Sequence, residues 1–200
     1  MPASTLNFNS ATVTNSYGWF WVGLAIPAAA SRITLFTDGT PDSTANPLAK
    51  HLGHTTEGWE MTAAASTEDQ NVDEQVAPID TSISELSVAL AANLAQTQDV
   101  TGVLQHLVSG FGTYATAAGY AQIQLGIATI AYTASALIFP SKNDATKYMV
   151  YNLYKSKNDS GLANQIKRRG LGSNPVAFRG YGITSRAATD TVGNYWIQQT

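Results

Sequence analysis

The stretch Lys147-Tyr-Met-Val-Tyr-Asn-Leu-Tyr154 sets the character of the chain, because aromatic and branched side chains occupy nearly all of its positions. Such residues are enriched in β-strands, and their lack of alternation predicts a strand covered on both faces. A basic connector at 155–169 follows, and then a second apolar segment at 175–184. Gly180 and Gly182 predict a kink or bulge in that second strand. Two strands joined by an exposed basic connection are typical of a protein that presents charge to a neighbour.

Further segments carry the β pattern. The predicted strands cover residues 17–26, 31–37, 58–65, 80–94, 122–129 and 133–139, with a last strand or an arm at 190–200. Within residues 80–94, strict alternation places Ile83 and Glu85 on one face and Leu86, Val88 and Leu90 on the other. A bulge between the two groups would change this parity.

One helix is predicted, at about residues 98–110, because apolar residues from Val100 to Phe111 recur at helical spacing. Residues 38–53 and 66–79 are predicted to be long loops. Together the patterns predict a mainly β (α+β) fold, a β-sandwich or short barrel with one flanking α-helix.

The length of 200 residues predicts a single domain over 1–200, with an N-terminal arm at 1–16 and a C-terminal arm at 187–200 as options. Charged residues make up 12% of the chain, about half of the usual share of roughly 25%. A soluble monomer normally keeps a charged surface, so the shortage indicates a surface covered by partners. The alternative is a Thr- and Ser-rich exterior.

The charges are segregated along the chain. Residues 51–141 contain nine acidic residues and no Lys or Arg, whereas residues 142–200 contain nine basic residues and three acidic ones. Such polarity favours complementary surfaces that meet head to tail. If the two halves interleave in the fold, the field averages out instead.

The sequence offers little for catalysis. His51, His54 and Glu57 are of metal-ligand type, but they lie in a Gly/Pro loop without the H-E-x-x-H spacing. The chain has no cysteine, which excludes thiol nucleophiles and zinc–thiolate sites. No phosphate-binding glycine loop or nucleophile elbow is present. We therefore expect no catalytic residue, no metal, no cofactor and no enzymatic activity. Lys167-Arg-Arg169 could contact nucleic-acid phosphates, but the triplet lacks an adjoining aromatic platform, which favours an interface patch.

Three stretches resemble the major tail tube protein of long-tailed bacteriophages in their order and spacing. The first is the loop Asp38-Gly-Thr-Pro-Asp-Ser-Thr-Ala-Asn-Pro47, which closes at Gly53 and Gly58. The second is Asp73-Glu-Gln-Val-Ala-Pro-Ile-Asp-Thr-Ser-Ile-Ser-Glu85. The third comprises Val150-Tyr-Asn-Leu-Tyr154, Gly161, Lys167-Arg-Arg-Gly170 and Pro175-Val-Ala-Phe-Arg179, and ends in Thr184-Ser-Arg186.

The resemblance implies a sandwich or short barrel similar also to the type VI secretion tube protein. It implies hexameric rings that stack into a hollow tail tube, in which inner strands of neighbouring subunits join. A tape-measure protein would fill the lumen before double-stranded DNA passes through it. Tail terminator and distal tail proteins would be further partners, the location would be the virion after synthesis in the host cytoplasm, and no membrane insertion is expected.

The resemblance also implies roles for charged residues. The candidate contacts between rings or subunits are Lys155, Lys157, Lys167, Arg168, Arg169, Asp38, Asp42 and Lys50. The candidates for an acidic lumen or stacking face are Glu57, Glu60, Glu68, Asp69, Asp73, Glu74, Asp80 and Glu85.

Two alternatives remain open. One is another virion protein, such as a capsid decoration or tail completion protein. The other is a carbohydrate-binding β-sandwich with Trp19, Trp21 and Trp59 as stacking residues, although tryptophans more often pack in a core or an interface.

Overall fold

The computed structural model describes residues 18–28, 31–36, 38–53, 55–70, 80–95, 104–117, 120–141, 144, 146–161 and 173–198. These residues form ten β-strands, one α-helical turn and a short 3-10 turn at Ala188–Asp190. The elements are β1 Trp19–Leu24, β2 Lys50–His51, β3 Thr55–Gln70, β4 Asp80–Leu94, α1 Leu104–Leu107, β5 Gly112–Ala117, β6 Tyr120–Leu125, β7 Thr133–Pro140, β8 Tyr148–Asn158, β9 Asn174–Gly180 and β10 Gly193–Ile197.

Eight strands form one antiparallel sheet in the order β2-β1-β7-β8-β9-β4-β3, with β10 added beside β8. Strands β9 and β10 share one edge of β8: β9 pairs with it at Ser156–Asn158, and β10 pairs with it at Met149–Leu153. They therefore lie one after the other along that edge. Strands β5 and β6 form a separate hairpin next to α1.

The large sheet curls around a core. Phe20 of β1 stacks on Trp59 of β3, with ring centroids 4.3 Å apart, and its centroid lies 4.8 Å from that of Phe178 on β9. Since β1 and β3 lie near opposite ends of the strand order, their contact requires strong curvature. Burial of one such side chain contributes about 1.5–3 kcal/mol, which favours the curled state. The predicted mainly β, sandwich-like fold is confirmed.

Strand β8 is covered on both faces, as its sequence predicts. Tyr151 and Leu153 pack against the core inside the curl. Tyr148 and Val150 belong to a second apolar cluster on the opposite face, to which Ile33 contributes. The absence of alternation in this stretch thus reflects apolar neighbours on each side of the sheet.

A polar cluster fixes the connection from β9 to β10. The buried Tyr154 hydroxyl donates a hydrogen bond to Asp190 Oδ1 at 2.5 Å. Arg186 pairs with Asp190 Oδ2 at 2.6 Å and donates to the carbonyl of Pro27 at 2.9 Å. Burial and the Asp190 carboxylate raise the pKa of Tyr154 to about 12.

Some predicted boundaries are wrong. Residues 31–36 contribute only an isolated bridge between Leu35 and Pro41, because the chain turns at Asp38–Gly39 before a ladder can extend. Residues 66–70, predicted to be loop, continue β3 because they pair with β4 despite their polar composition.

The helix and the C-terminus also differ from the predictions. Only Leu104–Leu107 is α-helical among the described residues, and the predicted helix start at 98–103 lies outside them. The helix ends early because Gly110, with φ +92°, leads into β5, a strand that the sequence pattern does not predict. At the C-terminus, residues 193–197 form a strand in the sheet, whereas the optional arm at 1–16 lies outside the described residues.

Candidate interaction surface

Strands β3 and β4 extend well beyond the curled body. Strand β4 pairs with β9 from Ala89 to Leu94, and from Asp80 to Val88 its only described partner strand is β3. Those nine residues run about 30 Å at roughly 3.3 Å per residue. We call residues 61–70 of β3 together with residues 80–88 of β4 the outer ribbon. Nearly all of its described side chains are exposed.

The strand register divides the outer ribbon into two faces. Met61 lies opposite Leu90, Ala63 opposite Val88, and Ala65 opposite Leu86. A register shift beyond Ser66 then brings Ile83 opposite Thr67. This bulge confirms the change of parity that the sequence left open, and it places Ile83 on the same face as Leu86 and Val88.

One face of the outer ribbon is apolar. It comprises Met61, Ala63, Ala65, Ile83, Leu86 and Val88. Ile83 is 70% exposed, Leu86 51% and Met61 38%. The same face of β4 carries Leu90 and Leu94 into the core. The apolar face of the ribbon is therefore an outward continuation of the core face, with nothing from the described chain covering its outer part.

The opposite face is acidic. The register places three carboxylates on it, interspersed with Ser, Thr and Ala: Glu68, Asp80 and Glu85; Glu60 lies on the same face of the sheet, just before the ribbon begins. Glu85 forms an ion pair with Arg179 of β9 at 2.7 Å. Asp69 lies on the other face near the tip, and Glu57 is exposed beside the bulge at Gly58. Asp73 and Glu74 lie outside the described residues. Sequence reasoning found these acids but could not show that the pleat gathers four of them on one face.

A groove lies at the base of the ribbon's apolar face. Strand β10 continues the line of β9, but β4 diverges from it beyond Ala89, and the gap has a volume of about 380 Å³. Its lining includes Met61, Leu86, Val88, Tyr151, Val192 and Tyr195. Tyr195 stacks on Tyr151 with ring centroids 4.3 Å apart, and burial raises its pKa to about 12. No lining residue is charged.

The basic candidates are not gathered in one exposed connector. Lys155 and Lys157, predicted to lie in it, belong to β8. Lys157 pairs with Asp159, whose carboxylate raises the lysine pKa, and the Lys155 ammonium lies 4.3 Å from the ring centroid of Tyr132. Both lysines therefore have partners within the chain. Lys167, Arg168 and Arg169 lie outside the described residues.

Two other predicted contact residues stabilise turns. Asp38 accepts hydrogen bonds from the hydroxyl and the amide of Thr40, and these lower the carboxyl pKa. Asp42 accepts one from the amide of Thr44 at 2.8 Å. Lys50 begins β2 and its side chain is exposed. Of these three residues, Lys50 is therefore the one best placed to contact another subunit.

Strand β9 relates the outer ribbon to the two points where residues 162–172 join the described chain. The chain enters the stretch that contains Lys167–Arg169 after Gly161 and leaves it at Ser173, beside the start of β9. That start pairs with Leu94, whereas the outer ribbon leaves the body where β4 pairs with Arg179, at the end of β9. The ribbon and the two anchors of the basic stretch therefore lie towards opposite ends of β9.

The described residues contain no group of three or more His, Asp or Glu side chains arranged to hold a metal ion. The ring of His51 packs against that of Trp21 at 5.3 Å, and His54 lies outside the described part. His106 is half-buried on α1, and burial lowers its pKa.

The tryptophans are half-buried. Trp19 and Trp21 pack against the second apolar cluster, and Trp59 uses one ring face on Phe20. Trp59 also lines a surface depression of about 380 Å³ together with Glu57 and Glu60.

No protein-family model matches the sequence, and no curated protein is significantly similar to it. Within the described residues, no helix has the length and apolar character needed to cross a membrane.

Proposed function

We propose that this protein is a structural virion protein, whose copies form stacked hexameric rings that build the hollow tail tube of a long-tailed phage. The observation that carries the proposal is the outer ribbon, with one apolar and one acidic face, both exposed. The resemblance of the three sequence stretches to tail tube proteins is the reason for proposing this particular assembly.

A two-stranded ribbon whose apolar face is exposed to water is energetically unfavourable in a monomer. A two-stranded hairpin alone is marginally stable in water, and exposed apolar patches on soluble proteins commonly mark interfaces. Covering the ribbon's apolar face with a neighbouring subunit would stabilise it, because that face already continues the core of its own subunit.

The segregation of charge along the chain supports head-to-tail contacts. A subunit that is acidic towards one end and basic towards the other attracts the next copy in the same orientation. Such heterologous contacts close into rings or continue as open filaments. A tube built of rings uses both outcomes, with lateral closure and axial growth.

The acidic face suits a conduit for DNA. With the apolar face against a neighbour, Glu60, Glu68 and Asp80 would face the lumen. Carboxylates there would repel phosphates and prevent the counterion release that drives DNA binding. The DNA would then slide without adhering, and a tape-measure protein could occupy the lumen beforehand.

The proposal is tested by negative-stain electron microscopy of the purified protein over a range of concentrations, beside size exclusion with light scattering. We expect rings or tubes of uniform bore. A protein that stays monomeric at the highest concentration, even with tube fragments added as seeds, would contradict the proposal.

A charge exchange tests the head-to-tail polarity. One variant carries Asp69→Lys, Asp73→Lys and Glu74→Lys, which are stacking-face candidates outside the lumen-facing row, and the other carries Lys167→Glu, Arg168→Glu and Arg169→Glu. Each alone should fail to assemble because like charges meet, and an equimolar mixture should regain assembly. Arg32→Glu, which lies outside both regions, is the control and should assemble normally. If the mixture fails while each variant is folded by circular dichroism, the ribbon and the basic stretch do not meet.

A second candidate, carbohydrate binding, is favoured by the depression at Trp59, where an aromatic side chain lies near two carboxylates. Titration of tryptophan fluorescence with a glycan panel tests it. A saturable change that is lost in Trp59→Leu would support binding, and no change with any glycan would remove this candidate.

A further inference from the structure

We propose that the groove between the outer ribbon and β10 receives the segment Leu125–Tyr132 of a second copy of this chain. This inference rests on the proposed self-assembly and names one contact within it.

The segment Leu125–Tyr132 is an exposed apolar projection. Ile127 is fully exposed, and Leu125 is 75% exposed. Aliphatic side chains held in water to this extent favour burial by a partner, because apolar surface removed from water contributes about 25 cal/mol per Å².

The segment is held in place by the body behind it. The amide of Gly126 donates to the carbonyl of Phe111 at 3.0 Å. The Ser109 hydroxyl both accepts from the amide and donates to the carbonyl of Ala131, each at 2.8 Å. The ring of Tyr132 packs edge-on against that of Tyr181 at 5.2 Å. A segment fixed in this way loses little entropy on binding.

The segment cannot fill the groove of its own subunit. None of its residues lines that groove, and the contacts at Ser109 and Tyr181 hold it elsewhere on the body. The segment of a second copy is fixed to that copy's body, so it can approach this groove as the two subunits dock. The contact is then heterologous, as the proposed rings require.

The segment also matches the groove in its lack of charge. The groove lining is uncharged, and the acidic face of the ribbon lies on the other side of the strands that form its wall. A buried unpaired charge would be costly there, and an acidic segment would also be repelled. The described residues from Leu104 to Ser141 carry no charge, so Leu125 and Ile127 can enter without either penalty.

Cross-linking tests the contact. Because the chain has no native cysteine, each introduced cysteine is the only thiol in its variant. Leu86→Cys marks the groove and Ile127→Cys marks the segment. The two single variants are mixed and treated with a short bismaleimide. We expect the cross-linked dimer to exceed that of either variant alone by at least tenfold.

Leu48→Cys is the matched control, because Leu48 is also an exposed leucine, 73% accessible, and is remote in sequence from both sites. If Leu86→Cys links equally well to Leu48→Cys and to Ile127→Cys, the inference is overturned. Benzoylphenylalanine at position 86 gives a second readout, and a photoproduct mapped to any peptide other than residues 125–132 also overturns it.

The experiments can contradict the tube proposal and the groove contact independently of each other. Rings or tubes without the Leu86–Ile127 cross-link would overturn the contact and leave the tube proposal standing. Specific cross-links without rings or tubes would support the contact and contradict the tube. Ile127→Asp should raise the concentration needed for assembly at least tenfold, whereas Leu48→Asp should leave it unchanged; equal effects would count against the contact.

Discussion

The outer ribbon and the curled body are built from the same antiparallel pairing, yet they bury very different amounts of side chain. In the body, β8 and β9 have neighbours on both sides and pack Leu153 and Phe178 into the core. In the ribbon, β3 and β4 continue to pair with each other while Ile83 and Leu86 remain in water. The comparison indicates that the body is stabilised by its own core, whereas the ribbon's apolar face gains little from the described part of its own subunit.

The largest difference in stability is expected from truncating one apolar residue in each region. Phe178→Ala in the body should lower the free energy of unfolding by about 3–5 kcal/mol, because it leaves a cavity against Phe20. Ile83→Ala in the ribbon should change it by less than about 0.5 kcal/mol in the monomer, since this side chain is mostly exposed. Urea denaturation, at a protein concentration too low for assembly, measures both changes in the free energy of unfolding. Equal losses would mean that the ribbon is part of the cooperative core.

The polar cluster of the body should show the next largest effect. Tyr154→Phe removes a hydrogen bond to the Asp190 carboxylate and should cost about 1.5–3 kcal/mol. The pKa of Tyr154 is raised from 10.0 to about 12, so folding favours its neutral form. This contribution is complete below pH 10 and is lost as the pH rises towards 12.

The pH dependence separates this cluster from general alkaline unfolding. Denaturation at a series of pH values should show a steeper loss of stability between pH 10 and 12 in the wild type than in Tyr154→Phe. Parallel curves would mean that the hydroxyl does not titrate with a raised pKa in the folded state.

Glycine substitutions should locate the edge of the packed body. A Cβ at Gly193 would overlap the carbonyl oxygen of Asn152, so Gly193→Ala should push β10 away from β8 and cost about 1–3 kcal/mol. A Cβ at Gly126 would meet no other atom within 4 Å, so Gly126→Ala should be nearly neutral. Thermal unfolding of both variants checks this, and a neutral Gly193→Ala would show that β10 can shift without loss.

The smallest effect is expected at the junction of ribbon and body. Arg179 and Glu85 form an exposed pair there, and such pairs contribute only about 0.2–1 kcal/mol. A double-mutant cycle with Arg179→Met and Glu85→Gln should give a coupling energy in that range, which shrinks at about 1 M salt because of screening. A larger, salt-independent coupling would mean that the pair holds the ribbon to the body.

Much of the fold is predictable because local pattern and burial agree. The unbroken apolar run predicts strand β8, and the pattern of residues 80–94 predicts a strand with the bounds that β4 has. The prediction fails where pairing overrides composition. Ser66–Gln70 is polar enough to suggest a loop, and its strand conformation comes from the ladder with β4. Lys155 and Lys157 likewise look like connector residues but continue β8.

The sequence by itself determined that this protein is mainly β, poor in charge, and acidic in one half and basic in the other, because these properties depend on residue type and short-range periodicity alone. Only the tertiary structure decided which side chains share a face. The bulge that aligns Ile83 with Leu86, the row of carboxylates on the opposite face, and the divergence of β4 from β10 all depend on register and curvature. A shift of one residue in pairing would exchange the two faces, and no local pattern specifies that shift.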